Sequence, residues 1–259
     1  MIVLRSESEI ARMRAANQLV SQVLAALEGA VAAGMTTADL DAMAERLVRE
    51  GGAEPAFKGY RGYPATLCAS INEEVVHGIP STSRVLRDGD IISLDMGVKM
   101  GGYFGDSAVT VAVGQVPART LELLRVTRES LEKAIAQVRV GARLSDIGHA
   151  VQTWVEAHGF SIVREFVGHG IGEQLHEEPQ IPNYGQPGRG PKLAAGMVLA
   201  IEPMVAMGRP EVRVLGDGWT AVTKDGSLAA HFEHTVAVTA AGPLVLTARP
   251  SATLAHAAR

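Results

Sequence analysis

Apolar residues near the start of the chain recur at roughly helical spacing, which is typical of an amphipathic helix. The positions are Ile10, Met13, Leu19, Val23 and Leu27. Ser6 precedes this stretch, and Glu9 stands three residues after Ser6, which is the sequence pattern of a capping box. The pattern predicts a first helix that begins after Ser6 and continues to Gly34.

Three further stretches have helical patterning, at about residues 39–50, 120–138 and 145–158. Between them lie short apolar runs and Gly- and Pro-containing loops, which predict strands and turns. The last residues, 248–259, are rich in alanine and are expected to form a frayed, flexible end.

These elements repeat along the chain with a constant offset. Four pairs of landmarks lie 107 residues apart: Gly34 and Gly141, Asp39 and Asp146, Gly89 and Gly196, and Asp95 and Glu202. Each half reads helix, helix, strand with an acid, strand with an acid. The repeat predicts an α+β fold made of two pseudo-equivalent halves, about 10–113 and 117–240, that meet at a carboxylate-lined centre within one domain, 1–259.

The stretch SLDMGVKMGGYFGDSAVTV has the pattern of a β-hairpin with an aspartate in each strand. A loop at Met100-Gly101 would place Asp95 directly opposite Asp106, whereas a loop at Gly101-Gly102 would make them diagonal neighbours on one face. Both registers bring the two carboxylates within reach of each other, and a three-residue loop would weaken this inference.

Glu202 and Glu233 occupy the corresponding positions of the second half, which raises the number of clustered acids to four. Each acid alone is explained as well by a turn cap or by pairing with an arginine at the surface. Four carboxylates at equivalent points of two halves repel one another and lose hydration, so they require a neutralising cation. Divalent metal ions meet that requirement.

Histidines stand near these acids in the sequence. His169 and His176 lie seven residues apart, but the glycines around them indicate a loop or strand rather than a helix. His77 precedes a Gly-Ile-Pro turn, where a lone histidine is more often structural than functional. A set of four carboxylates and one imidazole suits Mn²⁺, Fe²⁺, Co²⁺ or Zn²⁺, and bridging carboxylates hold two such ions about 3.5–4 Å apart for hydrolysis. The spacing predicts a dinuclear metallohydrolase.

Composition narrows the class of protein further. Apolar residues make up 47% of the 259-residue chain, which is enough for a substantial core. The formal net charge of −4 gives no basic footprint for nucleic acid or an anionic membrane. Cys68 is the single cysteine, which excludes an internal disulfide framework, and no apolar run is long enough to span a bilayer. The start of the chain lacks the pattern of a secretory signal, so a soluble, cytoplasmic protein is expected.

Five segments of the chain resemble the sequence blocks of the type I methionine aminopeptidases. The segments are NEEVVHGIP, SLDMGVKMGGYFGDSAVT, EFVGHGIGEQLHEEPQIPNY, GMVLAIEPM and HFEHTVAVT. The resemblance covers about residues 5 to 245, and the 32 residues between His169 and Glu202 leave no room for the large insert of the type II enzymes. It implies the pita-bread fold, in which two pseudo-symmetric halves surround a central antiparallel sheet.

The resemblance also implies an activity: removal of the initiator methionine from nascent polypeptides whose second residue is small. It implies two divalent metal ions (Co, Mn, Fe or Zn) and the ligand set Asp95, Asp106, His169, Glu202 and Glu233. Glu202 would also act as general base and then general acid. His176 would hydrogen-bond the scissile carbonyl, and His77 would hold the amide nitrogen of the second residue. The expected partners are polypeptide N-termini near the ribosome, and a monomer is expected.

The same resemblance assigns an apolar methionine pocket to Phe57, Tyr60, Tyr63, Cys68, Leu175 and Trp219. Family members often carry Cys where Phe57 stands and Phe where Leu175 stands, so the shape of this pocket is expected to differ. Without the resemblance, ordinary core packing would explain these residues. Cys68 is expected to be a small apolar wall residue rather than a nucleophile, since no histidine stands beside it in sequence.

Two alternatives stay open from the sequence. One is a proline-specific aminopeptidase or dipeptidase of the same fold, which would hydrolyse Xaa-Pro peptides. The other is a binding protein of that fold without metal and without catalysis. Such relatives lose ligands, whereas all five candidate ligands stand in this chain.

Overall fold

The computed structural model describes residues 1–249 of the chain. Its α-helices are α1 (Glu7–Ala30), α2 (Thr37–Glu50), α3 (Ala118–Ile135) and α4 (Leu144–Ala157). The capping box at Ser6 and Glu9 is present, with the Ser6 backbone N–H donating to the Glu9 carboxylate at 2.8 Å. The prediction that the first helix continues to Gly34 is wrong, because the helix ends at Ala30. Most of the expected flexible end, residues 250–259, lies outside the described residues.

Short strands supply the rest of the regular structure. In chain order they are β1 (Glu54–Pro55), β2 (Leu67–Ile71), β3 (Glu74–Val76), β4 (Ile91–Met100), β5 (Tyr103–Ala112), β6 (Ser161–Ile162), β7 (Gly168–Gly170), β8 (Glu177–Ile181), β9 (Val198–Ile201), β10 (Met204–Ala206), β11 (Val212–Val214), β12 (Ala221–Thr223), β13 (Ala229–His231), β14 (Glu233–Thr239) and β15 (Gly242–Val245). None of the helices in the described part of the chain is long and apolar enough to cross a membrane.

A nine-stranded sheet forms the centre of the molecule. Its strands follow the order β1-β4-β5-β14-β9-β7-β8, with β2 paired to β4 and β15 paired to β14. All of these pairs are antiparallel. The expected α+β fold with a central antiparallel sheet is confirmed.

The two halves of the chain repeat not only their elements but also their backbone hydrogen bonds. The N–H of Gly34 donates to the carbonyl of Leu86, and the N–H of Gly141 donates to the carbonyl of Leu193, each at 2.8 Å. Both glycines have a left-handed backbone, with φ of 93° and 89°. Each glycine therefore redirects the chain between the two helices of its half in the same way, as the 107-residue period predicts.

Each pair of helices packs on the strands of its own half. Leu27 of α1, Leu40 of α2 and Leu94 of β4 belong to one buried apolar cluster. Leu131 of α3 and Leu199 of β9 belong to another, together with residues of α4 and β14. Because side chains alternate across a strand, the helices cover one face of the sheet and leave the opposite face for Asp95, the neighbour of Leu94.

Gly105 allows α1 to lie close behind this acidic face. A methyl group at Gly105 would stand 2.8 Å from the backbone nitrogen of Asn17 and 3.0 Å from the carbonyl carbon of Ala16. Backbone atoms of a packed helix cannot move aside as a flexible side chain can. The helix and the strand therefore set each other's position directly beneath Asp106.

We expect Gly105→Ala to lower the free energy of unfolding by about 1–3 kcal/mol, because the added methyl group must push α1 away from β5. Urea unfolding at a fixed concentration of divalent ion measures this. Gly29→Ala is the matched control, since no atom lies within 4 Å of the new methyl group in this helical position. The control should stabilise the protein, by up to about 1 kcal/mol. Equal unfolding midpoints for Gly105→Ala and the wild type would contradict the packing argument.

Candidate metal centre and substrate cavity

The pairing register of three adjacent strands places acids on one face of the central sheet. In β4 and β5, Met100 pairs with Tyr103, so Gly101-Gly102 forms the loop. Ala108 of β5 then pairs with Asp95 on one side and with Glu233 of β14 on the other. Residues opposite each other in a ladder share a face, so the two acids flank a small residue on the same surface.

Asp106 lies two residues before Ala108 and therefore points to the same face. Its pairing partner in β4 is Gly97, which makes Asp106 a diagonal neighbour of Asp95. This is the second of the two registers that the sequence allows. Thr235 of β14 fixes the strand locally by donating its hydroxyl to the Asp106 carbonyl at 2.8 Å.

Ala200 of β9 extends the same row toward the other edge of the sheet. It pairs with Thr235 on one side and with His169 of β7 on the other, so His169 also faces the acids. Glu202 follows β9 two residues after Ala200, and its carbonyl accepts a hydrogen bond from the Asn183 amide at 3.0 Å. Four of the five candidate ligands thus lie on neighbouring strands and Glu202 lies directly after one, with small residues between them.

Distances show that these side chains surround a space of ionic size. The Nε2 atom of His169 lies 4.0 Å from Asp106 Oδ2 and 3.5 Å from Glu202 Oε1. Potential ligand atoms of Asp106, His169 and Glu233 lie within 4.8 Å of one another. Ligands at about 2.0–2.2 Å from a shared ion have separations of this order.

Buried oxygen atoms in this cluster have no hydrogen-bond partner among the described residues. They are Asp95 Oδ1, Asp106 Oδ1 and Glu233 Oε1. Burial raises the pKa of Asp95 to about 7. Burial, followed by repulsion from neighbouring carboxylates, raises the pKa of each of the other three acids well above its ordinary value. The donor set is rich in oxygen and has orphaned atoms aimed at one space, which fits a divalent cation.

The tautomer of His169 leaves a lone pair toward the acids. Its Nδ1 atom lies 2.9 Å from the carbonyl oxygen of Gly170, which can only accept, so we assign the proton to Nδ1. Burial, with a smaller contribution from His176, lowers the pKa of His169 to about 3. The imidazole is therefore neutral near pH 7, and Nε2 is available as a ligand atom.

Two further histidines stand at the edge of the cluster. The ring of His176 lies 4.3 Å from the ring of His169, and its Nδ1 atom is 2.8 Å from the Tyr60 hydroxyl. His77 has a left-handed backbone with φ of 62° and packs edge-on against Trp219. Burial lowers the pKa of His77 to about 4, so this residue is also neutral near pH 7. A strained backbone at a cavity wall is typical of functional positions.

One cavity of about 180 Å³ contains the whole predicted site. Its walls include every candidate residue from the sequence: Phe57, Tyr60, Tyr63, Cys68, His77, Asp95, Asp106, His169, Leu175, His176, Glu202, Trp219 and Glu233. Buried Phe57, Tyr63, Cys68 and Leu175 form its apolar part. Burial, followed by the charge of Asp95, raises the pKa of the Cys68 thiol well above its ordinary value, so the thiol stays protonated.

Sequence reasoning missed two residues at this site. Arg61 lines the cavity from its exposed side, and no motif in the loop GYRGYP signals that position. His231 is fully buried, and its Nε2 atom lies 3.7 Å from Glu202 Oε2. His231 stands two residues before Glu233, but proximity in the sequence alone does not make a residue a ligand. The two residues lie on different strands, β13 and β14, so strand alternation does not relate their side chains.

We expect the protein stripped of divalent ions to become less stable as the pH rises from about 7 to 8. Carboxyl groups with raised pKa values hold protons in the folded state that the unfolded chain releases near pH 4, so their contribution is present at low pH and lost as they ionise. The buried histidines with lowered pKa values of about 3 to 4 are neutral in the folded state above pH 7, and in the unfolded chain, with an ordinary pKa near 6.5, they are mostly neutral there. The carboxyl groups therefore determine how the free energy of unfolding changes with pH between pH 7 and 8.

Added Mn²⁺ should remove or reverse this slope, because the ion binds the ionised carboxylates. Urea unfolding at pH 7.0, 7.5 and 8.0, with and without MnCl₂, measures both effects. Asp106→Asn should flatten the metal-free slope, whereas the control Asp225→Asn should keep it, since hydrogen bonds lower the pKa of surface Asp225 to about 2. A wild-type slope of zero, or one unaffected by Mn²⁺, would contradict the assignment.

Comparison with known proteins agrees with this geometry. The model of metallopeptidase family M24 matches residues 11–240. The chain is 52% identical to a methionine aminopeptidase of Clostridium acetobutylicum and to methionine aminopeptidase 1 of Bacillus subtilis. Each alignment spans 247 residues, 95% of this chain and 99% of the relative.

Solved structures show the same relationship. The crystal structure of methionine aminopeptidase from Thermotoga maritima has a TM-score of 0.94 at 48% identity and covers 95% of this chain and 99% of its own. A prolidase from Pyrococcus horikoshii has a TM-score of 0.78 at 22% identity, covers 97% of this chain and 65% of its own, and shares the fold alone. The fold is thus the pita-bread fold common to both. The chain belongs to metallopeptidase family M24 and, within it, to the methionine aminopeptidases.

Proposed function

We propose that this chain removes the N-terminal methionine from nascent polypeptides and peptides with a small second residue, using two divalent metal ions. The observation that carries the proposal is the continuity of the acidic sheet face with the apolar part of a cavity that opens to solvent. The relatives that are about half identical over nearly the whole chain are methionine aminopeptidases. In this role the chain acts as a single catalytic domain, as a cytoplasmic monomer, on N-termini emerging near the ribosome.

Five side chains would hold the ions. Asp106 and Glu233 would be shared by the two ions, Asp95 would complete one site, and His169 with Glu202 would complete the other. The ions (Co, Mn, Fe or Zn) would polarise the substrate carbonyl and lower the pKa of a water. The neutral Nε2 of His169 and the orphaned carboxylate oxygens support this division of ligands.

Glu202 moves the proton in the reaction. It accepts a proton from the attacking water and then returns it to the leaving amine of the second residue. Without an ion, burial raises the pKa of Glu202, whereas a bound divalent cation would keep the carboxylate ionised and able to accept a proton. The Asn183 amide donates to the backbone carbonyl of Glu202 and fixes its main chain, and His231 Nε2 lies 3.7 Å from its Oε2.

His176 stabilises the charge that develops on the scissile carbonyl. In this role the Tyr60 hydroxyl, 2.8 Å away, would donate to Nδ1, which leaves the proton of the imidazole on Nε2. An N–H donor aimed at a developing oxyanion lowers the barrier because it acts where charge appears. Neutral His77 holds the amide nitrogen of the second residue.

The apolar part of the cavity selects the methionine side chain. Phe57, Tyr63, Cys68, Leu175 and Trp219 contribute its walls, with Tyr60 at the mouth. The Tyr63 hydroxyl donates to the carbonyl oxygens of Leu67 and Gly78, at 3.0 and 3.1 Å, so the ring is held rigidly and its face stays apolar. A thioether fits such a wall of aromatic and sulfur-bearing groups.

The rival functions have weaker support. A proline-specific peptidase would share the fold, but the prolidase comparison stands at 22% identity against 52% for the methionine aminopeptidases. A metal-free binding protein would have to keep four buried carboxylates without a cation, which is costly.

Release of methionine from Met-Ala-Ser, after chelation and re-addition of single metals, tests the proposed activity. We expect no release from the chelated protein and restored release with at least one of Mn²⁺, Co²⁺, Fe²⁺ or Zn²⁺. Glu202→Gln should lower kcat by about 10²–10⁴-fold because the proton acceptor is lost. His176→Gln should lower kcat by about 10²-fold or more, because the oxyanion donor is lost.

His149→Gln is the matched control for His176→Gln, since His149 lies on α4 and does not line the cavity. Its kcat should stay within twofold of the wild type. Release of proline-linked residues from Xaa-Pro peptides, with no release from Met-Ala-Ser in any metal, would overturn the proposal in favour of the rival activity.

A further inference from the structure

Arg61 stands at the mouth of the substrate cavity in a backbone conformation that side chains rarely adopt. Its φ is 49° and its ψ is 23°, and the flanking Gly59 and Gly62 have φ values of 87° and 90°. Left-handed positions are favourable for glycine but costly for a long side chain. The loop thus turns sharply on both sides of Arg61 and presents this exposed residue at the cavity.

The guanidinium group is linked to the reacting region through two contacts. Its central carbon lies 5.4 Å from the centroid of the Tyr60 ring, and the Tyr60 hydroxyl meets His176 at 2.8 Å. The pKa of His176 is lowered by burial first and then by the charge of Arg61, which reflects how near the two side chains lie. A substrate whose scissile carbonyl meets His176 would therefore have Arg61 close to its downstream residues.

A second cavity of about 610 Å³ continues outward from this point and shares Arg61, His169 and His176 with the first. Glu173, Glu177 and Glu178 line it; the first two are paired with Arg5, at 3.2 and 2.6 Å, and Glu178 has no ion pair within 4.0 Å in residues 1–249. Arg61 makes no ion pair within 4.0 Å with any carboxylate in the described residues 1–249. It is a cation without a protein partner on the path of the substrate.

Building on the proposed function, we propose that Arg61 is a specificity-determining residue that binds a carboxylate on the substrate beyond the second residue. A guanidinium offers paired N–H donors that match the two oxygens of a carboxylate. The carboxylate is either the free C-terminus of a short peptide or an acidic side chain downstream of the scissile bond. Neither group takes part in the chemistry, so Arg61 acts on substrate binding rather than on bond cleavage.

Two matched peptide pairs separate the sources of the carboxylate. Met-Ala-Ser is compared with its C-terminal amide, and Met-Ala-Asp-Gly-amide is compared with Met-Ala-Asn-Gly-amide. We expect the wild type to have a KM about three- to fivefold lower for the charged member of at least one pair, with kcat within twofold, at low ionic strength. This preference should shrink in 0.5 M NaCl, because the site is exposed.

Arg61→Asn should abolish the KM preference, and Arg61→Lys should keep part of it. Asparagine tolerates the left-handed backbone, and Arg61→Gln provides a second neutral variant of greater length. Urea unfolding midpoints close to that of the wild type show that each variant is folded. Arg139→Gln removes the same charge from an exposed position that lines neither cavity, and it should leave the preference intact.

A preference within the first pair identifies the C-terminal carboxylate as the group that is bound, and one within the second pair identifies an acidic side chain. No preference in the wild type, or a preference that survives both neutral variants, overturns the role of Arg61 and leaves the proposed function standing. Release of methionine from none of the peptides, with any metal, overturns the proposed function and this inference with it.

Discussion

The burial of four carboxylates on one face of a sheet is the constraint on which the rest of this structure depends. Removing such groups from water costs several kcal/mol for each charge unless a cation or hydrogen bonds replace the lost hydration. Asp95, Asp106 and Glu233 each keep an oxygen atom without a partner in the described part of the chain. The fold therefore concentrates negative charge at its centre, and a divalent cation would neutralise that charge. The helices pack on the opposite face, where they supply the apolar burial that offsets this cost.

Rigid and adaptable parts of the site come from different kinds of structure. The candidate ligands lie on or directly after paired strands, where Ala108 and Ala200 leave room between them. The residues that would contact substrate, such as His77 and His176, lie in turns and loops beside that sheet. Strands hold ligand atoms to fixed spacings, whereas loops vary without disturbing the sheet. This separation is consistent with one fold serving both methionine aminopeptidases and prolidases.

Much of the metal centre was predictable from sequence, because strand periodicity and a two-residue turn fix which side chains share a face. The structure has the Gly101-Gly102 loop, one of the two registers that the sequence leaves open, and the glycines 107 residues apart make equivalent backbone hydrogen bonds. Helix ends were less predictable. The first helix ends at Ala30, whereas the glycine that marks the repeat, Gly34, lies in the turn after it. Arg61 and His231 were not predicted. Arg61 reaches the site through the geometry of its loop, and His231 reaches it because two separate sheets meet there; local sequence patterns encode neither. The apolar pocket was predicted only from the family resemblance, because its residues cannot be distinguished from ordinary core residues in the sequence.

The most direct test of the account is the location and number of Mn²⁺ ions in crystals of the wild-type protein, read from anomalous diffraction. We expect two peaks about 3.5–4 Å apart, both within bonding distance of Asp106 and Glu233, with one next to Asp95 and the other next to His169. Crystals that bind Mn²⁺ elsewhere, or that show the four carboxylates hydrogen-bonded to one another with no ion between them, would contradict the claim that this sheet face is built around cations.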